Sequence, residues 1–257
     1  MKRLVLKTRA YGPFRARILQ TLESDISEMT KELDVKLSKL KTDKRNHVKI
    51  EVDGEDEEFV ANVLEKEYGR SLSTDAVLVD SIYTGNLIDV GNVGYGLYVD
   101  IGITTPLFVD ALIPLFRLRE QLSMHEHSLR AIAKSLILVN DLPIAINVTA
   151  IDLRGPKIEA EFALSFLKQL NGWTKDDHER VLILGCTRKM LDNALQKTGH
   201  LEDIYRIEQL GSFEFALRCK RSTRASGILS AIGPRMRGVP MHLFIPREVD
   251  GKYHATT

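Results

Sequence analysis

Gly85-Asn86-Leu87-Ile88-Asp89-Val90-Gly91-Asn92-Val93-Gly94-Tyr95-Gly96-Leu97-Tyr98-Val99-Asp100-Ile101-Gly102 is a stretch in which short apolar runs are cut by glycine at intervals of two to six residues. Glycine within a strand pattern marks a bend or a close backbone approach, and short strands that bend at glycines suit a small closed barrel. Residues 76–81, 84–90, 96–101 and 144–151 read as strands of that barrel, with Gly155-Pro156 as a turn. An excursion over residues 106–141 interrupts it. Within the excursion, Ser123-Met124-His125-Glu126 reads as a capping box heading a helix with Leu129, Ile132, Ala133 and Leu136 on one face.

The segments on either side carry a different pattern. Before the barrel, residues 4–8 read as a strand, and Pro13 stands near the start of a helix whose apolar positions Ile18, Leu22, Ile26, Met29 and Leu33 recur every three or four residues. Strands at 35–40 and 47–52 follow, then a helix through Phe59, Val60, Val63 and Leu64, giving the order β-α-β-β-α. After the barrel come a strand at 181–184, a helix at 187–198 stopped by Gly199, and a hairpin of 203–209 with 213–219. A helix over 222–232 and a strand over 241–245 complete β-α-β-β-α-β, the split-βαβ or ferredoxin-like order. The expected architecture is α+β in three domains: a ferredoxin-like domain at 1–72, the barrel at 73–172 and a second ferredoxin-like domain at 173–257.

Charge is unevenly distributed along the chain. The whole carries a net +1, but residues 1–70 are net +1, residues 71–170 net −4 and residues 180–247 net +7. From Phe215 to Arg247 there is no acidic residue, while Arg218, Lys220, Arg221, Arg224, Arg235, Arg237 and Arg247 are all present. No apolar run reaches the roughly 18 residues of a membrane span, and the first residues lack the apolar core of a signal peptide, so a cytoplasmic protein is expected. Two cysteines, Cys186 and Cys219, make no disulfide framework and fit no metal spacing. They fall toward opposite edges of the C-terminal sheet, which argues against a bond between them.

With these elements in place, residues 85–102 resemble the core of the S1 RNA-binding motif, a five-stranded OB-fold barrel. Asp110-Ala111-Leu112-Ile113-Pro114 resembles the stretch after that family's third strand, and residues 145–163, with Asp152, Lys157 and Ile158, resemble its last two strands. The resemblance covers residues 75–165. The wider arrangement, an S1-type barrel between two ferredoxin-like segments, is similar to an uncharacterised archaeal family. By resemblance, Tyr95 and Tyr98 match the two ring positions of the S1 binding face, and Lys157 matches a basic position at the start of the last strand. OB barrels bind single strands by stacking bases on exposed rings, with nearby cations holding phosphates. Two departures weigh against this: Pro114 stands where the family commonly has His, and Asp89, Asp100 and Asp110 lie near the expected groove.

A second nucleic-acid candidate is the C-terminal basic tract. Arg218, Lys220, Arg221 and Arg224 surround the end of a strand, and Arg235 and Arg237 lie in the glycine-flanked loop 233–238, where backbone is open to phosphate. Its bland alternative is a solvated face paired with acids such as Glu55-Asp56-Glu57-Glu58. His125-Glu126-His127 reads as a polar helix start and not a metal site, the 91–96 glycines lack the following helix of a dinucleotide site, and Trp173 reads as a packing anchor at a domain junction. No nucleophile with an adjacent base and no cofactor motif stands out. The expected function is therefore non-enzymatic binding of RNA or single-stranded nucleic acid. The alternative is a ligand-sensing or scaffolding regulator, with a protein partner or a second copy of the chain as its contact.

Overall fold

The computed structural model describes residues 1–152, 155 and 157–249, so Pro156 of the expected turn and the last eight residues lie outside the described residues. It is a mixed α+β structure built around a closed five-stranded barrel. In the N-terminal segment, β1 (Lys2–Arg9), α1 (Arg15–Met29), β2 (Val35–Leu37), β3 (Lys41–Thr42), β4 (His47–Gly54) and α2 (Glu57–Tyr68) form an antiparallel sheet in the order β1-β4-β2, with β3 also on β4. Alternation along β1 turns Leu4 and Leu6 toward the helices, where they join Ile18, Leu22, Ile26, Val60 and Leu64 in one core. The chain leaves along β1, with Lys7 N–H bonded to Gly69 C=O and Ser71 N–H to Val5 C=O. It then contributes β5 (Leu72–Ser73), which pairs with a barrel strand.

The barrel consists of β6 (Ile82–Ile88), β7 (Gly96–Thr105), β8 (Val109–Pro114), β9 (Pro143–Asp152) and β10 (Lys157–Phe162). Its order runs β7-β6-β9-β10-β8, with β8 returning to β7 to close the ring and pairing in parallel with β10. Two sequence expectations need correction. The 106–141 segment does not lie wholly outside the barrel, because Val109, Ala111 and Ile113 are buried and β8 is its closing strand. The strand expected at 76–81 is absent; a 3-10 turn at Thr74–Ala76 leads directly to β6. Helices α3 (Leu115–Leu122) and α4 (Leu129–Leu136) follow β8. Ser123 ends α3 in a left-handed conformation, and Ser128 caps α4 by accepting from Ala131 N–H, so the capping residue lies five positions later than expected.

Helix α5 (Leu164–Lys175) leads to the C-terminal segment of β11 (Arg180–Leu184), α6 (Arg188–Thr198), β12 (Ile204–Gln209), β13 (Glu214–Cys219), α7 (Ala225–Ile232), β14 (Met241–Phe244) and α8 (Pro246–Val249). This sheet is antiparallel throughout, in the order β12-β13-β11-β14. Every residue of β11 is buried because both faces are covered. Val181 and Ile183 meet α6 and α7, whereas Leu182 and Leu184 join the barrel core. Trp173 stands edge-on to Phe244 at 5.4 Å, with the buried Arg180 guanidinium 5.1 Å from its ring. Cys186 and Cys219 are buried free thiols, which burial pushes up to about 12 and about 11.

All three parts meet where β1 ends. Tyr11 donates its hydroxyl hydrogen bond to Glu214 Oε1 at 2.6 Å, Thr8 and Ser212 share a hydroxyl contact at 3.2 Å, and Arg9 Nη1 lies 2.8 Å from Asp141 Oδ1. Phe213 belongs to the N-terminal core, and Phe14 packs against the C-terminal one. Burial pushes the Glu214 carboxyl up to about 7, even though the Tyr11 hydroxyl and the Phe213 N–H oppose it. A carboxyl raised on folding gives stability that is fully present below its unfolded value of about 4.3 and is lost as pH rises through the folded value. Urea titrations from about pH 4 to about pH 8 should show this decline, on the order of 3 kcal/mol, and Glu214→Gln should abolish that portion of it.

Candidate nucleic-acid interface

Gly96 begins β7 because β8 runs so close that a Cβ there would lie 2.5 Å from Ile113 C=O. Tyr95 sits just before the strand and Tyr98 within it, so strict alternation does not separate them. Their rings meet edge to face, with centroids 6.2 Å apart, and their hydroxyls lie 2.6 Å apart. That hydrogen bond, with a smaller contribution from burial, raises the Tyr98 phenol above its ordinary range. Tyr95 is 55% exposed.

The structure adds rings that the linear reading missed. Leu115 N–H bonds to Tyr95 C=O at 2.8 Å, which seats the start of α3 beside the tyrosines and leaves Phe116 60% exposed. The Arg117 guanidinium lies 5.4 Å from the Phe116 ring, and that of Arg45 lies 5.5 Å from exposed Phe108. The visible signal was an aromatic–arginine pair directly after Pro114, hidden because this segment read as an interruption of the barrel.

Two of the acids near this face, Asp100 and Asp110, are occupied by the N-terminal segment. Arg45 makes a bidentate pair with Asp110, its Nη2 donating to Oδ2 at 2.8 Å. Burial raises the Asp110 carboxyl, and Arg45 only partly opposes that. His47 stands between Asp43 and Asp100, with Nδ1 3.2 Å from Asp43 Oδ2 and Nε2 3.3 Å from Asp100 Oδ2. For Asp100, burial pushes upward, but His47 and the Gly102 N–H outweigh it and hold the carboxyl below its usual range. Lys7 lies on the same side; burial lowers its ammonium to about 8 against the pull of Asp100. Asp89 accepts from the Asn92 amide at 3.1 Å. Of the three acids near the expected groove, Asp100 and Asp110 thus form a docking surface for the 43–47 turn.

Lys157, at the start of β10, is exposed and pairs with Glu159 at 2.7 Å. The C-terminal basic tract is divided. Arg218 pairs with Asp176 at 3.1 Å and covers Tyr205 at 4.9 Å, Arg224 pairs with Glu179 at 2.7 Å, and Arg247 lies 3.6 Å from Asp177. Lys220 and Arg221 are exposed just before α7, whereas Arg235 and Arg237 are exposed beyond its other end. In the alternative of a tract paired with acids, the acids 55–58 are not its partners among the described residues: Glu57 and Glu58 bind the Met1 amino group and Lys2, and Asp176, Asp177 and Glu179 take that place. Among the described residues no group of three or more His, Cys, Asp or Glu side chains is placed to hold a metal ion, and no helix is long and apolar enough to cross a membrane.

A barrel held between two sheet-and-helix segments is also how related sequences divide. Residues 3–73, 77–174 and 178–243 match the N-terminal, central and C-terminal domains of DUF2110. The chain belongs to the DUF2110 family. No curated protein matches it significantly.

The His47 contacts carry their own test. Asp100, lowered on folding, contributes stability that is present above its unfolded value and lost as pH falls through the folded one. Replacing His47 with Ala leaves that buried carboxylate without its neighbour, which should cost on the order of 3 kcal/mol at neutral pH. The acid unfolding midpoint, followed by circular dichroism, should move to higher pH.

Proposed function

We propose that the chain is a non-enzymatic RNA-binding protein of archaeal RNA metabolism, translation or transcription. In this reading the barrel is an S1-type OB fold flanked by two ferredoxin-like domains. The strand order β6-β7-β8-β10-β9, closed on itself with β8 parallel to β10 and helices between β8 and β9, supports the OB assignment. The β12-β13-β11-β14 order supports the ferredoxin-like one. The observation that carries the function is the exposed Tyr95–Tyr98 pair beside Phe116, a surface on which unpaired bases can stack. Occupation of Asp100 and Asp110 by the N-terminal segment removes much of the electrostatic objection.

The ligand-sensing alternative draws on one feature. A cavity of about 190 Å³ is lined by Lys7, Arg9, Thr84, Asn86, Ser212 and Glu214, residues from all three parts of the chain. Its polar lining suits a small polar metabolite, and thermal-shift screening against amino acids and nucleotides separates this reading from the RNA one.

Fluorescence titration with single-stranded RNA tests the leading reading. Saturable binding that weakens with salt is expected, and absence of binding at low salt refutes it. Tyr95→Ala and Tyr98→Ala should each weaken binding by about 1–3 kcal/mol, roughly 5- to 150-fold, without changing the salt dependence, since no cation is removed.

A further inference from the structure

Two acid-free tracts, far apart in sequence, meet on the side of the molecule where the flanking segments touch. Residues 1–22 and 215–247 contain no Asp or Glu. The Gly12-Pro13-Phe14 turn lies against the loop after α7, where a Cβ on Gly238 would stand 3.4 Å from Pro13 Cγ, and Phe14 packs against the C-terminal core. Arg15 and Arg17 flank this seam from the first turn of α1, and Arg235 and Arg237 flank it from the opposing loop. All four side chains are exposed, and among the described residues none has a carboxylate partner. Arg17 is anchored by its guanidinium 5.9 Å from the Phe14 ring, and Arg15 Nη2 donates to Thr42 Oγ1.

This arrangement is not explained by folding. The start of α1 has no side-chain cap and no acid in its first turn, so two arginines stand at the positive end of a helix dipole, where anions are favoured. Two more arginines, Arg235 and Arg237, stand in the loop of another domain whose Gly238 approaches Pro13. Like charges gathered without counter-charges are unfavourable for the free protein and are relieved by a bound polyanion. From the seam, Arg15 reaches Thr42 at the edge of the 43–47 turn, and Arg45 of that turn pairs with Asp110, two residues along β8 from Leu112, the partner of Tyr98.

The geometry points to this seam as a site for the phosphate backbone of single-stranded RNA, shared by the N- and C-terminal domains and continuous with the stacking face of the barrel. The site rests on the RNA-binding reading above and adds to it Arg15, Arg17 and the path of the strand. It also separates Arg235 and Arg237 from Arg218 and Arg224, which serve internal pairs.

The test measures binding of a labelled oligouridine of about 20 nucleotides, longer than the site of one OB barrel, over about 0.05–0.2 M salt. The full chain is compared with Arg15→Ala/Arg17→Ala, Arg235→Ala/Arg237→Ala, Lys220→Ala/Arg221→Ala and Tyr95→Ala/Tyr98→Ala. The first two pairs should each flatten the plot of log affinity against log salt, by roughly 0.7 for each phosphate that is no longer neutralised. The Lys220/Arg221 pair should keep the parent slope, as should Arg→Lys changes at the seam. Should the tyrosine variant bind weakly while both seam variants keep the parent slope, the seam is not the site although the RNA reading stands. Should only one of the two seam pairs matter, a shared site is refuted. Should the parent protein bind no RNA, the functional reading fails, and the seam proposal fails with it.

Discussion

The hydrogen bond from Tyr11 to Glu214 is the contact on which the arrangement of the three segments depends. It joins the end of β1 to the start of β13, and on either side of it each flanking domain lends a phenylalanine to the other. Phe213 is buried in the N-terminal core while Phe14 packs against the C-terminal one. A buried carboxyl is costly in an apolar setting, and this one is tolerated because a phenol and a backbone N–H donate to it and the charge of Arg9 acts on it. Gly185 belongs to the same arrangement: its φ of +80° and a space only 3.0 Å from the Tyr11 ring leave no room for a side chain.

What this junction fixes is the position of the N-terminal sheet over the barrel. Once β1 is held at both ends, Lys7 and the 43–47 turn are brought against barrel carboxylates that would otherwise repel a polyanion. The candidate interface is therefore not a property of the barrel alone. Its rings come from the start of β7, the residue before β8 and the first turn of α3, whereas its charge balance comes from Arg45 and His47 of another domain.

The local elements were largely legible in the sequence because their periodicities are strong. The apolar spacing of Ile18, Leu22 and Ile26 gave α1, and the glycines around Leu97–Ile101 gave the bends of β7. The β8 strand was obscured because its short run, Val109–Pro114, passes straight into α3 with Pro114 as the only break between them. At the other end of α3, Ser123 carried the right residue type for a cap but occupies a left-handed C-terminal position, while Ser128, with no acidic residue three positions on, makes the actual cap. Of the candidate site, the tyrosines were visible as a pair. The partners of Asp100 and Asp110, the division of the basic tract by α7, and the approach of Pro13 to Gly238 all join residues more than 40 positions apart or on opposite ends of an element. Long-range pairings of this kind leave no local pattern to read.

The passage from the first segment into the barrel has a consequence for how such a chain can be inherited. Gly69 and Ser71 are bonded along β1, and directly after Ser71, β5 is already a strand of the barrel sheet. There is no free linker at which recombination could exchange one module and leave both hydrogen-bond ladders intact. Phe14 and Phe213 impose the same condition between the two ends of the chain. Exchanging the first segment for an unrelated one would therefore break pairings with both the barrel and the C-terminal segment.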